Sequence, residues 1–427
     1  MSDQQGLPPN YFYHRLPNGM EMVGQYMPSL SSITFGFQLD AAVIHEPEEK
    51  LGLAHLFEYM LLQGTKNRDA RALNEAFESL GARKGVSTGM ETTQIWSQIV
   101  HTKLDATLDL FHEVLLTPTF PRDELEQVRS IVLQEIRRRQ DEPMSRIFDL
   151  VRANYYKGTP LARQPLGTSE SIQALQRQDL QNFWRERYKP DNVLFAIAGK
   201  FDWDHVVTRM EQLFSDWEGH VPPTTLPAPQ PTNIVALEHE EGKQEHLSLM
   251  CPFPKYTDPD YYAAMVLSEV LGGNMASRLF VEVREKRGLV YSVSASLTSN
   301  RNAGAMRIYA GTTPEQGREC LQVIVNELRK LEQEGITEDE LERAKVQLKS
   351  EQIMRNEGSG SRMGAITRSW WYERRLRTVQ EIKERIDAVT REQVLAVLQR
   401  YSPLNPLTVA AIGPLNHDEL VGDTLPF

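Results

Sequence analysis

Three side chains near the start of the sequence have the types and spacing needed for chemistry at a metal ion. His55, Glu58 and Tyr59 stand at positions i, i+3 and i+4 of the segment GLAHLFEYMLLQGT. If this segment is a helix, the three side chains share one face. The zinc-binding pattern H-x-x-E-H has the same spacing, with two imidazoles as ligands and the glutamate between them as general base. Here a tyrosine takes the place of the second histidine.

Two predicted helices, 52–65 and 123–140, must position these side chains. The second helix carries Glu135, which lies 76 residues after Tyr59 and can supply a carboxylate ligand. The His-x-x-Glu spacing carries little information alone, because ten histidines and 58 acidic residues in a chain of 427 produce about one such pair by chance. The distant glutamate on a second amphipathic helix is what makes the pattern a candidate site.

Composition sets the class of protein. A chain of 427 residues is too long for one core and suits two domains of about 200 residues each. A net charge of −11 argues against non-specific nucleic-acid binding, which needs a basic face. The sequence contains no run of 18 apolar residues, so it predicts no membrane-spanning helix. Residues 1–19 lack the pattern of a signal peptide, and two cysteines fit a reducing compartment, so we expect a cytoplasmic protein.

The second half of the chain repeats the first. Asp-Glu-Leu-Glu occurs at 123–126 and again at 339–342, an offset of 216 residues, and opens a long charged helix each time. The apolar strand pattern at 192–199 has a counterpart at 407–413. Between the halves, residues 222–232 contain five prolines, which predicts a stiff, extended linker. We therefore predict an α+β protein of two homologous half-domains from a duplication, each a β-sheet packed by helices, with boundaries 1–221 and 233–427.

With these features in place, the chain resembles the pitrilysin and mitochondrial-processing-peptidase family of zinc peptidases, which carry the inverted motif H-x-x-E-H. The resemblance extends over nearly the whole chain and is most specific in GGNMASRLFVEVREKRGLVYSVSASL. The length is similar to that of the short branch of this family. In that branch, two chains pair into a clam shell of four half-domains.

The resemblance implies roles for individual residues of the first half. His55 and Glu135 match zinc ligands, Glu58 matches the general base, and Tyr59 replaces the second zinc histidine. Gly85 stands where the family has a substrate-contacting asparagine. Val128 stands where the family usually has a supporting glutamate. A neutral phenol is a poor zinc ligand, because tyrosine must lose a proton (ordinary pKa ~10) to bind well. We therefore expect zinc to be weakly bound or absent in this chain, and Glu58 to be vestigial.

The second half retains two residues that the family supplies to the active site. Arg284 and Tyr291, in REKRGLVY, match an arginine and a tyrosine that reach substrate from the second domain. Arginine can hydrogen-bond a peptide carbonyl through its planar fork. A tyrosine hydroxyl can donate to the oxyanion of the tetrahedral intermediate. His246 has no partner at ligand spacing and is interpreted as a structural or surface residue.

Together these features predict a subunit of a two-chain zinc peptidase that is inactive alone. It would contribute Arg284 and Tyr291, as catalytic and substrate-binding residues, to peptide endoproteolysis at a partner's zinc site. The partner would be a second chain of the family with an intact motif, or a second copy of this chain. Two alternatives stay open: an active zinc endopeptidase in which Tyr59 replaces a histidine ligand, and a structural scaffold without catalysis.

Overall fold

A computed structural model describes residues 6–425 of the protein, so the extreme ends of the two predicted domains lie outside the described residues. The strands are β1 (Tyr11–Arg15), β2 (Glu21–Tyr26), β3 (Ser32–Leu39), β4 (Arg83–Thr88), β5 (Thr93–Val100), β6 (Val193–Gly199), β7 (Ile234–His239), β8 (Glu245–Phe253), β9 (Val290–Ser299), β10 (Gly304–Thr312) and β11 (Thr408–Gly413). The helices are α1 (Leu53–Met60), α2 (Ala70–Ser79), α3 (Leu104–Leu116), α4 (Arg122–Gln140), α5 (Pro143–Tyr155), α6 (Ser169–Ala174), α7 (Arg177–Arg187), α8 (Trp203–Phe214), α9 (Tyr261–Gly272), α10 (Pro314–Glu334), α11 (Glu338–Arg355), α12 (Ser359–Glu373), α13 (Val379–Asp387), α14 (Arg391–Arg400) and α15 (His417–Leu420).

The first compact unit is built on a six-stranded mixed sheet in the order β1-β2-β6-β3-β5-β4. Strand β6 (VLFAIAG) is buried along its whole length, and β3 (SITFGFQL) is buried from its second residue on. Such continuous apolar runs are typical of central strands covered on both faces. Strand β4 lies at the edge and carries two basic residues, Arg83 and Lys84, as exposed edges often do.

The second compact unit is built on a five-stranded sheet in the order β7-β11-β8-β10-β9. Five neighbouring strands of the first sheet, β2-β6-β3-β5-β4, correspond in this order to the five strands of the second sheet. In each sheet the first pair of this series is parallel and the following pairs are antiparallel. The predicted α+β fold of two homologous half-domains from a duplication is therefore confirmed.

One face of each sheet is covered by a helix that comes from the other half of the sequence. Helix α12 packs on β2, β3 and β6 of the first unit, through apolar side chains that include Met363, Ile366 and Trp370. Helix α5 packs on β7, β8 and β11 of the second unit. Within the described part of the chain, the first unit thus comprises residues 6–137, 163–225 and 354–378, and the second comprises the rest. The division at the linker into 1–221 and 233–427 stays a prediction about sequence domains.

The predicted linker at 222–232 contains no helix or strand, and most of its residues are exposed. Five prolines account for this, because each one lacks the amide donor that regular structure requires. Among residues 6–425, no helix combines the length and the apolar character needed to cross a membrane.

Candidate functional site

Helix α1 turns His55, Glu58 and Tyr59 toward one side because its other residues are apolar. Leu53, Ala54, Leu56, Phe57 and Met60 are all buried in the core of the first unit. The three polar positions are only partly covered. The amphipathic pattern of the sequence is thus sufficient to place these side chains on the face of the helix opposite the core.

A buried glutamate fixes the beginning of α1. The carboxylate of Glu46 accepts hydrogen bonds from the backbone N–H groups of Gly52 (3.1 Å) and Ala54 (2.7 Å). These are amides that the first turn of a helix leaves unpaired. Gly52 has a φ of +83°, and a Cβ there would lie 2.6 Å from the carbonyl oxygen of Leu166, so only glycine fits. Sequence reasoning missed Glu46, because nothing in its local pattern marks it as a cap.

Glu135 on helix α4 lies directly opposite His55 and Tyr59. His55 Nε2 is 2.9 Å from Glu135 Oε2, and the Tyr59 hydroxyl donates to Glu135 Oε1 at 2.6 Å. The rings of His55 and Tyr59 meet edge to face. The structure therefore brings together the histidine, tyrosine and distant glutamate that the sequence singled out, and it binds them to one another as a hydrogen-bonded triad.

Glu58 contacts both the edge strand β4 and His55 of the triad. The backbone N–H of Thr88 donates to Glu58 Oε2 at 2.8 Å, and His55 Nδ1 lies 3.6 Å from the same oxygen. Burial alone would lower the pKa of His55. The carboxylates of Glu58 and Glu135 outweigh this effect, so that the pKa of His55 is raised.

The donor set of the triad does not fit a catalytic zinc ion. Such a site uses three protein ligands with free lone pairs. The phenol of Tyr59 keeps its proton to donate to Glu135, and both oxygens of that carboxylate are already engaged. Among the described residues, no cluster of three or more His, Cys, Asp or Glu side chains is arranged to hold a metal ion.

The two further departures from the family pattern are built into the packing. Val128 is buried in the core of the first unit, where an ionised glutamate would have no solvation. Gly85 on β4 lies against the indole of Trp96, and a Cβ at this position would be 2.9 Å from three atoms of that ring. The space that an asparagine would need at residue 85 is therefore occupied by tryptophan.

Gly85→Asn is expected to lower the free energy of unfolding by about 1–3 kcal/mol, because overpacking forces the Trp96 ring out of its position. The measurement is chemical denaturation followed by tryptophan fluorescence. Gly89→Asn is the matched control, since a Cβ there meets only the carbonyl oxygen of Thr92 at an ordinary 3.5 Å. Equal effects of the two substitutions would contradict the explanation.

A cavity of about 330 Å³ opens beside Glu58 and Tyr59. Its wall includes Gln63, Asn74 and Lys84. Burial lowers the pKa of Lys84, whose ammonium group lies 4.8 Å from the centre of the Phe77 ring. The candidate site of the first unit is thus a hydrogen-bonded triad with a polar cavity next to it.

Arg284 and Tyr291 both lie in the second unit. Arg284 is in a π-helical turn, Phe280–Glu285, where its guanidinium lies 5.0 Å from the centre of the Phe280 ring and its side chain is exposed. Tyr291 is the second residue of β9 and is 46% exposed. Both side chains are accessible to a ligand, although their catalytic and substrate-binding roles stay predictions.

Comparison with known proteins shows which family this chain is similar to. Residues 22–169 match the model described as insulinase (peptidase family M16), and residues 174–348 match the model described as peptidase M16 inactive domain. An uncharacterized zinc protease of Streptomyces coelicolor is 30% identical over 410 residues, covering 94% of this chain and 89% of the relative. An uncharacterized zinc protease of Bacillus subtilis is 29% identical over 377 residues, covering 88% and 92%.

Solved structures agree on the fold. A Pseudomonas fluorescens structure described as a peptidase M16 inactive domain superposes with a TM-score of 0.90 at 23% identity, covering 95% of this chain and 99% of the other. A protease from Helicobacter pylori superposes with a TM-score of 0.86 at 22% identity, covering 95% and 100%.

Proposed function

Because the chain belongs to peptidase family M16 and its zinc motif is degenerate, we propose that it is the non-zinc subunit of a two-chain peptidase. Its partner is a second chain of the family with an intact H-x-x-E-H motif. The complex cleaves peptides internally at the partner's zinc site. This chain contributes Arg284 and Tyr291 to the binding of the peptide and to stabilisation of the oxyanion.

The observation that carries the proposal is the hydrogen bond of 2.6 Å from Tyr59 to Glu135. In a catalytic site of this family, the corresponding groups would turn lone pairs toward a metal ion. Here the phenol and His55 satisfy both oxygens of Glu135. Each polar group of the triad has a hydrogen-bond partner within it, so none of them depends on a metal ion for a partner. This argues for a chain that has kept the scaffold of the site and lost its metal chemistry.

The accessibility of Arg284 and Tyr291 supports a remaining role in substrate handling. A planar guanidinium can hold a peptide carbonyl with two parallel donors. A phenol aimed at the reacting carbonyl stabilises the charge that develops on its oxygen. Neither side chain is needed for the core of the second unit, since both lie at its surface. A structural scaffold would have no use for this pair.

The test is purification of the protein from its native source, followed by elemental analysis and identification of any co-purifying chain. We expect a second M16 chain with an intact motif and one zinc ion per pair of chains. The separated subunit should hold well below one zinc. One tightly held zinc in this chain without a partner would instead support an active enzyme with Tyr59 as ligand. A partnerless, metal-free protein without peptidase activity would leave the scaffold alternative.

A further inference from the structure

One face of the second sheet carries a row of side chains that leads away from Tyr291. Gly311, Tyr309 and Arg307 are alternate residues of β10, so they share one face of the sheet. A Cβ at residue 311 would overlap with the phenol of Tyr291, which therefore lies over Gly311 on this same face. The ring of Tyr291 also meets the ring of His246 edge to face. Tyr291 and Arg307 thus lie at the two ends of one row on the second unit.

The length of this row corresponds to a short stretch of peptide. Gly311 and Arg307 are four residues apart in an extended strand, a distance of about 13 Å. An extended peptide covers that distance with about four residues. Side chains on a strand lean along its direction, so the match holds to about one residue either way. A peptide whose reacting carbonyl lies at Tyr291 therefore brings a side chain about three to five residues away within reach of Arg307.

The guanidinium of Arg307 lies over an aromatic ring and has no acceptor in the described part of the chain. Its Cζ is 4.0 Å from the centre of the Phe148 ring on α5. Among residues 6–425, no oxygen forms a hydrogen bond or an ion pair with this guanidinium. Its neighbours across the ladder are Met250 and Ser296, neither of which is acidic. Contact with the face of a ring leaves the N–H groups of a guanidinium available to a planar acceptor.

The surroundings of Arg307 carry an excess of positive charge. Arg152 follows Phe148 by one turn of α5 and lies on the same side of that helix. One carboxylate, that of Asp149, is shared by two arginines: its oxygens lie 2.9 Å from Arg152 Nη2 and 2.6 Å from Arg139 Nε. Burial and the charge of Arg152 lower the pKa of Arg307. An anion beside Arg307 would supply the negative charge that this part of the second unit lacks.

We propose that Arg307 determines the specificity of cleavage by binding the carboxylate of an aspartate or glutamate side chain in the peptide. The fork of a guanidinium matches a carboxylate with two parallel hydrogen bonds. The acidic residue stands about three to five residues from the bond that is cleaved. The inference rests on the proposed function, because it takes Tyr291 as the residue at the reacting carbonyl. It adds a substrate class, namely peptides with an acidic side chain at a fixed distance from the cleaved bond.

A series of quenched fluorescent peptides tests this substrate class with the complex as purified. The peptides share one neutral sequence, are amidated at the C-terminus, and differ only in the position at which a single glutamate replaces glutamine. We expect kcat/KM to be about tenfold higher when the glutamate stands about three to five residues from the cleaved bond, on one side of it. The amidated end leaves the glutamate side chain as the carboxylate that varies.

Arg307→Gln should abolish this preference for glutamate. Arg329→Gln is the matched control and should keep it, because Arg329 lies on α10 and bonds Asn326 of the same helix. Equal rates for all peptides with the wild-type complex would overturn the proposal. A preference that survives Arg307→Gln would overturn it as well.

Charge reversal separates recognition of the peptide from an effect on folding. Arg307→Glu should invert the preference, so that a peptide with lysine at the same position is cleaved faster than the one with glutamate. Arg307→Lys keeps the charge without the fork and should retain part of the preference. The ratio of kcat/KM for two peptides is measured in one preparation, so it does not depend on the fraction of folded protein. A preference for glutamate that persists in Arg307→Glu would contradict direct contact with the carboxylate.

Binding to the separated chain distinguishes failure of this inference from failure of the proposed function. The probes are fluorescein-labelled peptides of the same series, and the measurement is fluorescence anisotropy. The wild-type chain should bind the preferred glutamate peptide about tenfold more tightly than its glutamine counterpart, and Arg307→Gln should bind both equally. This result without cleavage by any complex would support the carboxylate site and refute the proposed function. Cleavage by the complex with equal binding and equal rates for all peptides would refute the carboxylate site and leave the proposed function standing.

Discussion

Tyr291→Phe is expected to slow peptide cleavage by the complex on the order of 10²-fold, with assembly unaffected. The substitution removes one hydroxyl donor and leaves the ring, which can still lie over Gly311. Loss of a single donor to a developing oxyanion has a cost of this size. The measurement is steady-state kinetics of the reconstituted complex, with gel filtration to verify that the two chains still associate. Arg284→Lys keeps the charge but loses the planar fork, so it should raise KM as well.

Glu58→Gln provides the contrast that decides where the chemistry lies. In this chain it should change cleavage little, because Tyr59 replaces the second zinc histidine of its motif and Glu58 accepts a hydrogen bond from the backbone of Thr88. The equivalent change in the partner's intact motif should abolish activity. If Glu58→Gln in this chain abolishes cleavage while Tyr291→Phe has no effect, this chain carries the active zinc site itself.

Much of the fold could be predicted from sequence because the duplication leaves two copies of each signal. The apolar runs at 192–199 and 407–413 become β6 and β11, which have equivalent positions in the two sheets. Helix α1 is shorter than predicted: it ends at Met60, although the apolar pattern continues toward Thr65. Amphipathic periodicity also cannot show which sheet a helix covers. The packing of α12 on the first sheet therefore has no signature in sequence.

The candidate site, like the fold, could be predicted only in part from sequence. His55, Glu58 and Tyr59 could be found because helical spacing is local, and Glu135 because it lies on a second long amphipathic helix. The sequence predicts His246 to be a structural or surface residue and gives no sign of its neighbours: its Nδ1 lies 3.1 Å from the Tyr309 hydroxyl, and its ring meets the ring of Tyr291 edge to face. These three residues lie on three strands, and only the register of β8, β9 and β10 brings them together. Pairing across strands is set by tertiary structure, which spacing along one chain does not encode.

Tyr59→His is expected to convert the triad into a zinc site. The wild-type chain, purified alone at neutral pH, should hold well below one zinc ion, because the phenol is protonated and donates to Glu135. An imidazole at residue 59 supplies a lone pair in the same helical position and completes a His-His-Glu set with His55 and Glu135. We expect zinc affinity to rise by on the order of 10²-fold or more, since even outer-shell partners of such ligands contribute 10–100-fold.

The measurement is elemental analysis after dialysis, together with competition against a zinc chelator. Tyr59→Phe is the matched control: it also releases Glu135 from the phenol but adds no ligand, so its zinc content should stay low. Tyr59→His need not restore cleavage, because Gly85 and Val128 still differ from the family pattern and are fixed by the packing around them. Stoichiometric zinc in the wild-type chain or in Tyr59→Phe would show that residue 59 does not control the metal, and the division of labour between two subunits would lose its physical basis.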